Sequence, residues 1–253
     1  MNKVIASFSG GKDSTAMLIR GIEEGMRIDE IVMFDTGWEF PGMMDHVRRV
    51  EKYISREITI LHPRRSFEYW MIDRPIKSRF DRPAEGIKKG EVFRIGNGWP
   101  SPMRRWCTRE KVETIDRHCG KADRLIGFAA DESHRTGSYK LKEKKYTKRY
   151  PLIEWGMDEA ACLEYCTDRG FDWGGLYKHF RHKHFRRVSC FCCPLQRLGE
   201  LRTLRRHFPE LWQRMLDWDD RIGSHNKGFR DYDTVRDMEA RFAREDRQCE
   251  FCF

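Results

Sequence analysis

No apolar run in this sequence approaches the roughly 20 residues that a membrane-crossing helix needs. Nothing resembles a secretory signal either, because Lys12 and Asp13 soon interrupt the apolar start at Val4, Ile5 and Phe8. The expectation is a cytoplasmic protein with no membrane partner. Internal repeats and low-complexity tracts are also missing, which removes solenoids and disordered arrays from consideration. What remains is a chain of 253 residues, 39% apolar and 35% charged, long enough to bury a real core under a surface rich in Lys and Arg.

The formal net charge of +9 speaks to partners more than to fold. Basic residues cluster between Lys77 and Lys111, between His134 and Arg149, and from Lys178 to Arg187, where Phe180 and Phe185 are interleaved. Any one cluster could be a solvated surface. Three together point to an anionic substrate, either a nucleotide alone or a nucleic acid. His179, His182 and His184 are read as part of a basic binding face rather than as a metal site.

Nine cysteines without a secretion signal argue against a disulfide framework and for thiol or metal chemistry. Cys162 and Cys166, four residues apart on an amphipathic segment, read as helix packing or exposed thiols, and Cys119 ends a helix before Gly120. Cys107, Cys190, Cys192, Cys193, Cys249 and Cys252 remain. Cys190 and Cys193 form one Cys-x-x-Cys pair and Cys249 and Cys252 another. Two such pairs suit tetrahedral zinc or an iron–sulfur cluster.

The first part of the chain alternates strand and helix: strands at Val4 to Phe8, Glu30 to Phe34, Ile58 to Leu61 and Arg124 to Phe128, helices at Ser14 to Glu24, Met44 to Ile54 and Arg109 to His118. That order predicts an α/β fold, a doubly wound and mainly parallel sheet. Arg74 to Trp106, rich in Pro, Gly and Arg, reads as a long loop over the substrate. The division expected is residues 1–155 as a nucleotide-binding α/β domain and 156–253 as a helical, cysteine-containing extension packed on it. Helices are expected at Asp158 to Arg169 and at Leu198 to Asp219, whose apolar stripe marks core.

Ser7 and Phe8 end the first strand, and Ser9-Gly10-Gly11-Lys12-Asp13-Ser14 follows at once and opens a helix. A Gly pair there lets backbone N–H groups approach a phosphate, and the helix start adds partial positive charge. Lys12 supplies a full charge, and the Ser9 and Ser14 hydroxyls can donate. The spacing differs from that of the Walker loop, which places four residues between its first Gly and its Gly-Lys pair.

This hexapeptide resembles the PP-loop of the N-type ATP pyrophosphatases. Asp35-Thr36-Gly37-Trp38-Glu39-Phe40, Trp106-Cys107-Thr108-Arg109-Glu110-Lys111 and Gly127-Phe128-Ala129-Ala130-Asp131-Glu132-Ser133-His134-Arg135 narrow the resemblance to the PAPS (phosphoadenosine phosphosulfate) reductase-like family. It implies an adenine nucleotide alpha hydrolase-like fold binding ATP and Mg2+, with Lys12, Asp13 and Cys107 as catalytic candidates. The nucleotide contacts it implies are Ser7 through Ser14, Asp35, Thr36, Gly127, Glu132 and Arg135. Asp35 could instead cap a helix, and Glu132 and Arg135 could pair with each other or reach substrate. Ala129 stands where the family often has Arg.

The resemblance extends to adenylyl-sulfate reductases and to the ATP pyrophosphatase component of DNA phosphorothioation. There, a cysteine at the place of Cys107 joins a later Cys-x-x-Cys in a 4Fe-4S cluster. It implies Cys107, Cys190 and Cys193 as ligands with Cys249 or Cys252 as the fourth, zinc being the alternative. Trp106 replaces the first of two adjacent cysteines of the adenylyl-sulfate branch, and the Glu-Cys-Gly tail of true PAPS reductases is missing. The leading expectation is therefore an ATP-dependent enzyme that adenylates an acceptor, a nucleic acid first among the candidates, and then thiolates it. Its sulfur would come from a donor such as a cysteine desulfurase. A sulfonucleotide reductase and an ATP-liganded nucleic-acid-binding protein are the alternatives, and a homo-oligomer is left open.

Overall fold

The computed structural model describes residues 2–136, 147–177, 185–223, 228–230 and 232–250. In chain order the strands are β1 (Val4–Phe8), β2 (Glu30–Phe34), β3 (Thr59–Leu61), β4 (Pro75–Lys77), β5 (Val92–Ile95), β6 (Asp123–Ile126) and β7 (Lys148–Arg149). The α-helices are α1 (Lys12–Glu23), α2 (Met43–Ile54), α3 (Trp106–Cys119), α4 (Pro151–Glu154), α5 (Glu159–Asp168), α6 (Leu198–His207), α7 (Pro209–Ile222) and α8 (Val235–Glu250). These elements form two compact units, Met1–Pro63 with Lys111–Cys190, and Arg64–Glu110 with Phe191–Phe253.

The first unit holds the five-stranded sheet, in the order β3-β2-β1-β6-β7 with every neighbouring pair parallel. Ile31, Val32, Met33 and Phe34 are all buried. Such an unbroken apolar run marks a strand covered on both faces. From central β1 the chain steps outward through β2 and β3 on one side and later through β6 and β7 on the other. The carboxyl end of β1 is thus the topological switch point, where sheets of this kind open their ligand crevice. Ala16, Met17, Leu18 and Ile19 bury α1. Cys162 and Cys166 of α5, both 0% exposed, pack as core residues, and the Cys166 thiol donates to the Lys12 carbonyl at 3.5 Å. Burial pushes the Cys162 thiol up to about 12, so it stays protonated.

In the second unit the stretch expected to be a loop from Arg74 onward contains the antiparallel ribbon β4–β5, bulged between Ile76 and Lys77. Strands this short, broken by Pro and Gly, show too little alternation to stand out in sequence. The helix expected over Leu198 to Asp219 is two, because Pro209 lacks an N–H and pushes Phe208 out of helical geometry (φ −134°, ψ 60°). Pro209 then opens α7 at the position that suits it. The apolar stripe survives the break, with Leu201, Leu204, Trp212, Met215 and Trp218 buried.

Trp99, 1% exposed, centres this unit, its ring 6.1 Å from Trp218 and 4.9 Å from Phe229. Its indole N–H donates to the buried Asp219 carboxylate at 2.8 Å, whose other oxygen accepts from the Arg236 N–H at 3.1 Å. One carboxylate thereby ties residues 64–110 to α7 and the start of α8. Replacing Trp99 by Ala removes the aromatic packing and orphans one Asp219 oxygen. We expect Trp99→Ala to lose about 3–5 kcal/mol in urea unfolding, with Trp99→Phe retaining part of it.

Candidate nucleotide site

The turn between β1 and α1 is shaped by two glycines. Gly10 has φ +75°, and a Cβ there would stand 2.4 Å from the Met43 sulfur. Gly11, the N-cap of α1, has extended backbone and brings no side-chain cap; the Lys12 N–H is taken by the Tyr177 hydroxyl, and the N–H groups of Asp13 and Ser14 are the ones the helix start can offer an anion. The Ser14 hydroxyl accepts from the Ser9 N–H at 3.1 Å, lies 3.0 Å from the Ser9 hydroxyl, and donates to the Gly11 carbonyl at 3.0 Å. The loop is thus held by its own serines.

Gly127, just beyond β6, lies against the same turn. A Cβ on it would be 3.0 Å from Ser14 Cα and 3.1 Å from Ser14 N, so only glycine lets β6 run on beside the start of α1. Ser7, within β1, pairs with Val32 and Ile126 on its two sides. Phe8 turns its ring into the core, stacked near His46 with centroids 6.5 Å apart.

Lys12 is 5% exposed, and its ammonium sits 3.0 Å from Asp13 Oδ1 and 3.1 Å from Glu159 Oε2. Glu159 Oε1 accepts from Arg186 at 3.1 Å. Burial pushes the Asp13 carboxyl up, against the pull of Lys12. Burial acts on Glu159 in the same sense, but hydrogen bonds from Arg186 and Lys12 outweigh it and hold that carboxyl below its ordinary range. Glu159 is therefore the firmer counter-ion of the loop lysine. A second acid, Glu132, is 5% exposed and accepts from Arg135 at 2.5 Å through one oxygen and from Arg187 through the other. Glu132 and Arg135 thus pair with each other. Arg135 also covers the Phe128 ring at 4.1 Å, and Phe128 stacks on Tyr150.

At the end of β2, Asp35 caps no helix; its Oδ1 accepts from the Gly37 N–H at 2.8 Å in a local turn. Thr36 donates to Glu39 at 2.9 Å and lies 3.3 Å from the Cys190 sulfur. Cys190, distant in sequence, is thus set beside the nucleotide candidates of its own unit. Cys192 is buried at 1%, whereas Cys190, Cys193 and Cys107 keep partial exposure, and burial raises the Cys107 thiol above its ordinary value. The thiols at Cys-x-x-Cys spacing are therefore the accessible ones, a donor set whose chemistry fits an iron–sulfur cluster or zinc. Cys190 belongs to one unit and Cys107 and Cys193 to the other, while the Cys249 side chain and Cys252 lie outside the described residues. Among the described residues no three His, Cys, Asp or Glu side chains form a metal-binding group. Most of the basic cluster from Lys178 to Arg187 also lies outside them.

The loop's supports were not anticipated from sequence. Trp173 donates its indole N–H to the Gly10 carbonyl at 2.6 Å from a backbone at φ +51°. The Tyr177 hydroxyl accepts from the N–H groups of Lys12 at 3.2 Å and Val188 at 3.3 Å. His46, 3% exposed, bonds Thr15 of α1 at 3.1 Å and packs on Trp173, ring centroids 4.6 Å apart. The one hint in sequence was Trp173-Gly174-Gly175, a tight turn carrying a large indole.

Residues 3–196 match the phosphoadenosine phosphosulfate reductase domain. The chain belongs to this family. Among the described residues of this PAPS reductase domain protein, no helix is long and apolar enough to cross a membrane. It is 25% identical over 222 residues to the uncharacterized protein MJ0066 of Methanocaldococcus jannaschii, covering 83% of this chain and 40% of that one. A second uncharacterized protein of that organism, MJ0973, is 24% identical over 230 residues, covering 86% and 47%. The chain thus spans less than half the length of these relatives. A solved structure, the U34-tRNA thiolase NcsA from Methanococcus maripaludis with its 4Fe-4S cluster, matches with TM-score 0.38 and 16% identity over 94% of this chain and 72% of that one.

His46 makes the loop's foundation acid-sensitive. Burial depresses it to about 4 from an unfolded value near 6.5, so between those pH values the unfolded chain binds a proton that the native one refuses. Stability is therefore retained above about pH 6.5 and lost as pH falls toward 4, by about 3 kcal/mol in total. Urea unfolding across this range should show the loss, and His46→Gln should flatten it.

Proposed function

We propose that this protein is an ATP-dependent sulfur-transfer enzyme that splits ATP between its α- and β-phosphates. The observation that carries the reading is the start of α1, without a side-chain cap from Gly11, set behind the Gly10-Gly11 turn with the buried Lys12 ammonium beside it. An acceptor oxygen attacks the α-phosphorus, the acceptor–O–AMP bond forms, and pyrophosphate leaves onto the loop. Lys12 and the helix N-terminus offset the charge that builds on the departing pyrophosphate. Asp13, beside Lys12, would supply a carboxylate to hold Mg2+. Asp35, Thr36 and Gly127, at the ends of the strands flanking β1, bound the crevice in which the adenosine would lie.

Sulfur at the sulfide level then attacks the adenylated centre of the acceptor, a bond to sulfur forms as the bond to the AMP-bearing oxygen breaks, and AMP leaves with that oxygen. Membership of the PAPS reductase family supports sulfur chemistry, and the position of Cys190 beside Thr36 supports placing it near the nucleotide. Cys107, Cys190 and Cys193, with Cys249 or Cys252, would hold a 4Fe-4S cluster, which when bound supplies the sulfur-transfer chemistry. The formal charge of +9 favours a nucleic acid as acceptor.

Purified anaerobically with its iron content measured, the protein should release pyrophosphate and AMP from ATP when given an RNA or DNA acceptor. Lys12→Met, assayed at a temperature where it remains folded, should lose roughly 100- to 1,000-fold in that rate, the range seen when one transition-state donor is removed. Sulfite formation from a sulfated adenine nucleotide with reduced thioredoxin, and no pyrophosphate release, would replace this reading with that of a reductase.

A further inference from the structure

Strongly paired cations mark the first unit, but the β4–β5 ribbon of the second treats its arginines differently. Arg82 and Arg94 share one aromatic ring, their guanidinium carbons 4.1 Å and 5.8 Å from the centroid of Phe93. The Nε atoms of both are buried without a hydrogen-bond acceptor. Arg82 pairs with the exposed Glu85, but among the described residues neither Arg94 nor Arg104 has an acidic partner. Burial, then repulsion from Arg104 and Arg82, holds the Arg94 guanidinium below the ordinary arginine range. Arg82 and Arg94 therefore crowd one ring with Arg104 acting on them, and among the described residues Glu85 is the carboxylate paired to Arg82. Beside them Phe80, 62% exposed, lies 5.6 Å from the Arg82 guanidinium.

We propose that Arg82, Arg94 and Arg104 bind the phosphodiester backbone of a nucleic-acid strand, with a base lying on the exposed ring of Phe80. Guanidiniums match phosphate oxygens two at a time, and an anion on their outer nitrogens would cancel the repulsion. An exposed ring adjoining cations is the stacking platform that single strands use. Charge complementarity selects this occupant over a protein surface. The proposal rests on the reading that the acceptor is a nucleic acid.

The test uses the full chain, with fluorescence anisotropy of short labelled single-stranded RNA and DNA across a salt series. The double variant Arg94→Gln/Arg104→Gln should bind at least about tenfold more weakly, with a log–log salt slope shallower by roughly 1.4, about 0.7 for each lost phosphate contact on a single strand. Phe80→Ser should weaken binding about tenfold with little change in slope. Thermal melting at low salt should show the double variant no less stable than the wild type, since repulsion is relieved. If it fails to fold, Arg104→Gln alone should give about half the slope change. Equal binding by wild type and folded variant overturns the site and leaves the acceptor reading standing. Binding of inorganic phosphate but of no strand overturns both. Strand binding lost in the variant, with no pyrophosphate release by the wild type, upholds the site and defeats the enzymatic reading instead.

Discussion

A lysine ammonium buried to 5% exposure at the start of a helix is the constraint around which the candidate site is arranged. An unpaired charge cannot remain there, because desolvation costs far more than a domain's net stability. Asp13 and Glu159 answer it, and Arg186 balances Glu159 in turn. The chain of alternating charge runs from the loop through α5 to the segment after Phe185. A phosphate arriving at the loop would compete with those carboxylates for Lys12 and leave them with excess negative charge, which a divalent cation would offset. Nucleotide and metal would therefore each bind more tightly in the presence of the other.

Charge alone does not fix a loop whose glycines permit many conformations. The backbone is held from below by Trp173 on the Gly10 carbonyl, by Tyr177 on the Lys12 N–H, and by His46 on Thr15. From the side Gly127 brings the end of β6 to van der Waals contact with the Ser14 backbone. These supports come from α2, from the strand after α3, and from the segment beyond α5, so the shape of residues 9–14 depends on the whole first unit being assembled. A site fixed in this way loses little entropy when it closes on an anion.

The parallel sheet and the loop were legible because both follow local rules. Apolar runs of five residues alternating with helical spacing specify β1, α1, β2 and α2, and a Gly pair after a strand specifies the turn. Trp173, Tyr177 and Glu159 were not legible, since nothing at their positions encodes proximity to residues 10–12; their roles arise from packing of α5 and its successor on α1. The same holds for Trp99, which sits in a stretch of Gly and Pro that reads as loop. Its partner Asp219 is 120 residues away. The break at Pro209, by contrast, was written in the sequence, and a continuous apolar stripe hid it.

The candidate nucleotide loop and the β4–β5 ribbon treat cations differently, and the contrast bears on which surface meets a polyanion. Lys12, Arg135, Arg186 and Arg187 each face a carboxylate, so an external phosphate must displace an internal partner before it gains from them. Arg94 and Arg104 face none among the described residues, and their repulsion is a standing cost that folding alone gives no reason to retain. At an exposed ribbon physiological salt screens part of that cost, which lets the cluster persist until a strand arrives. Long-range attraction would then belong to the ribbon, and the paired cations of the nucleotide loop would be spent only on the molecule that fits them.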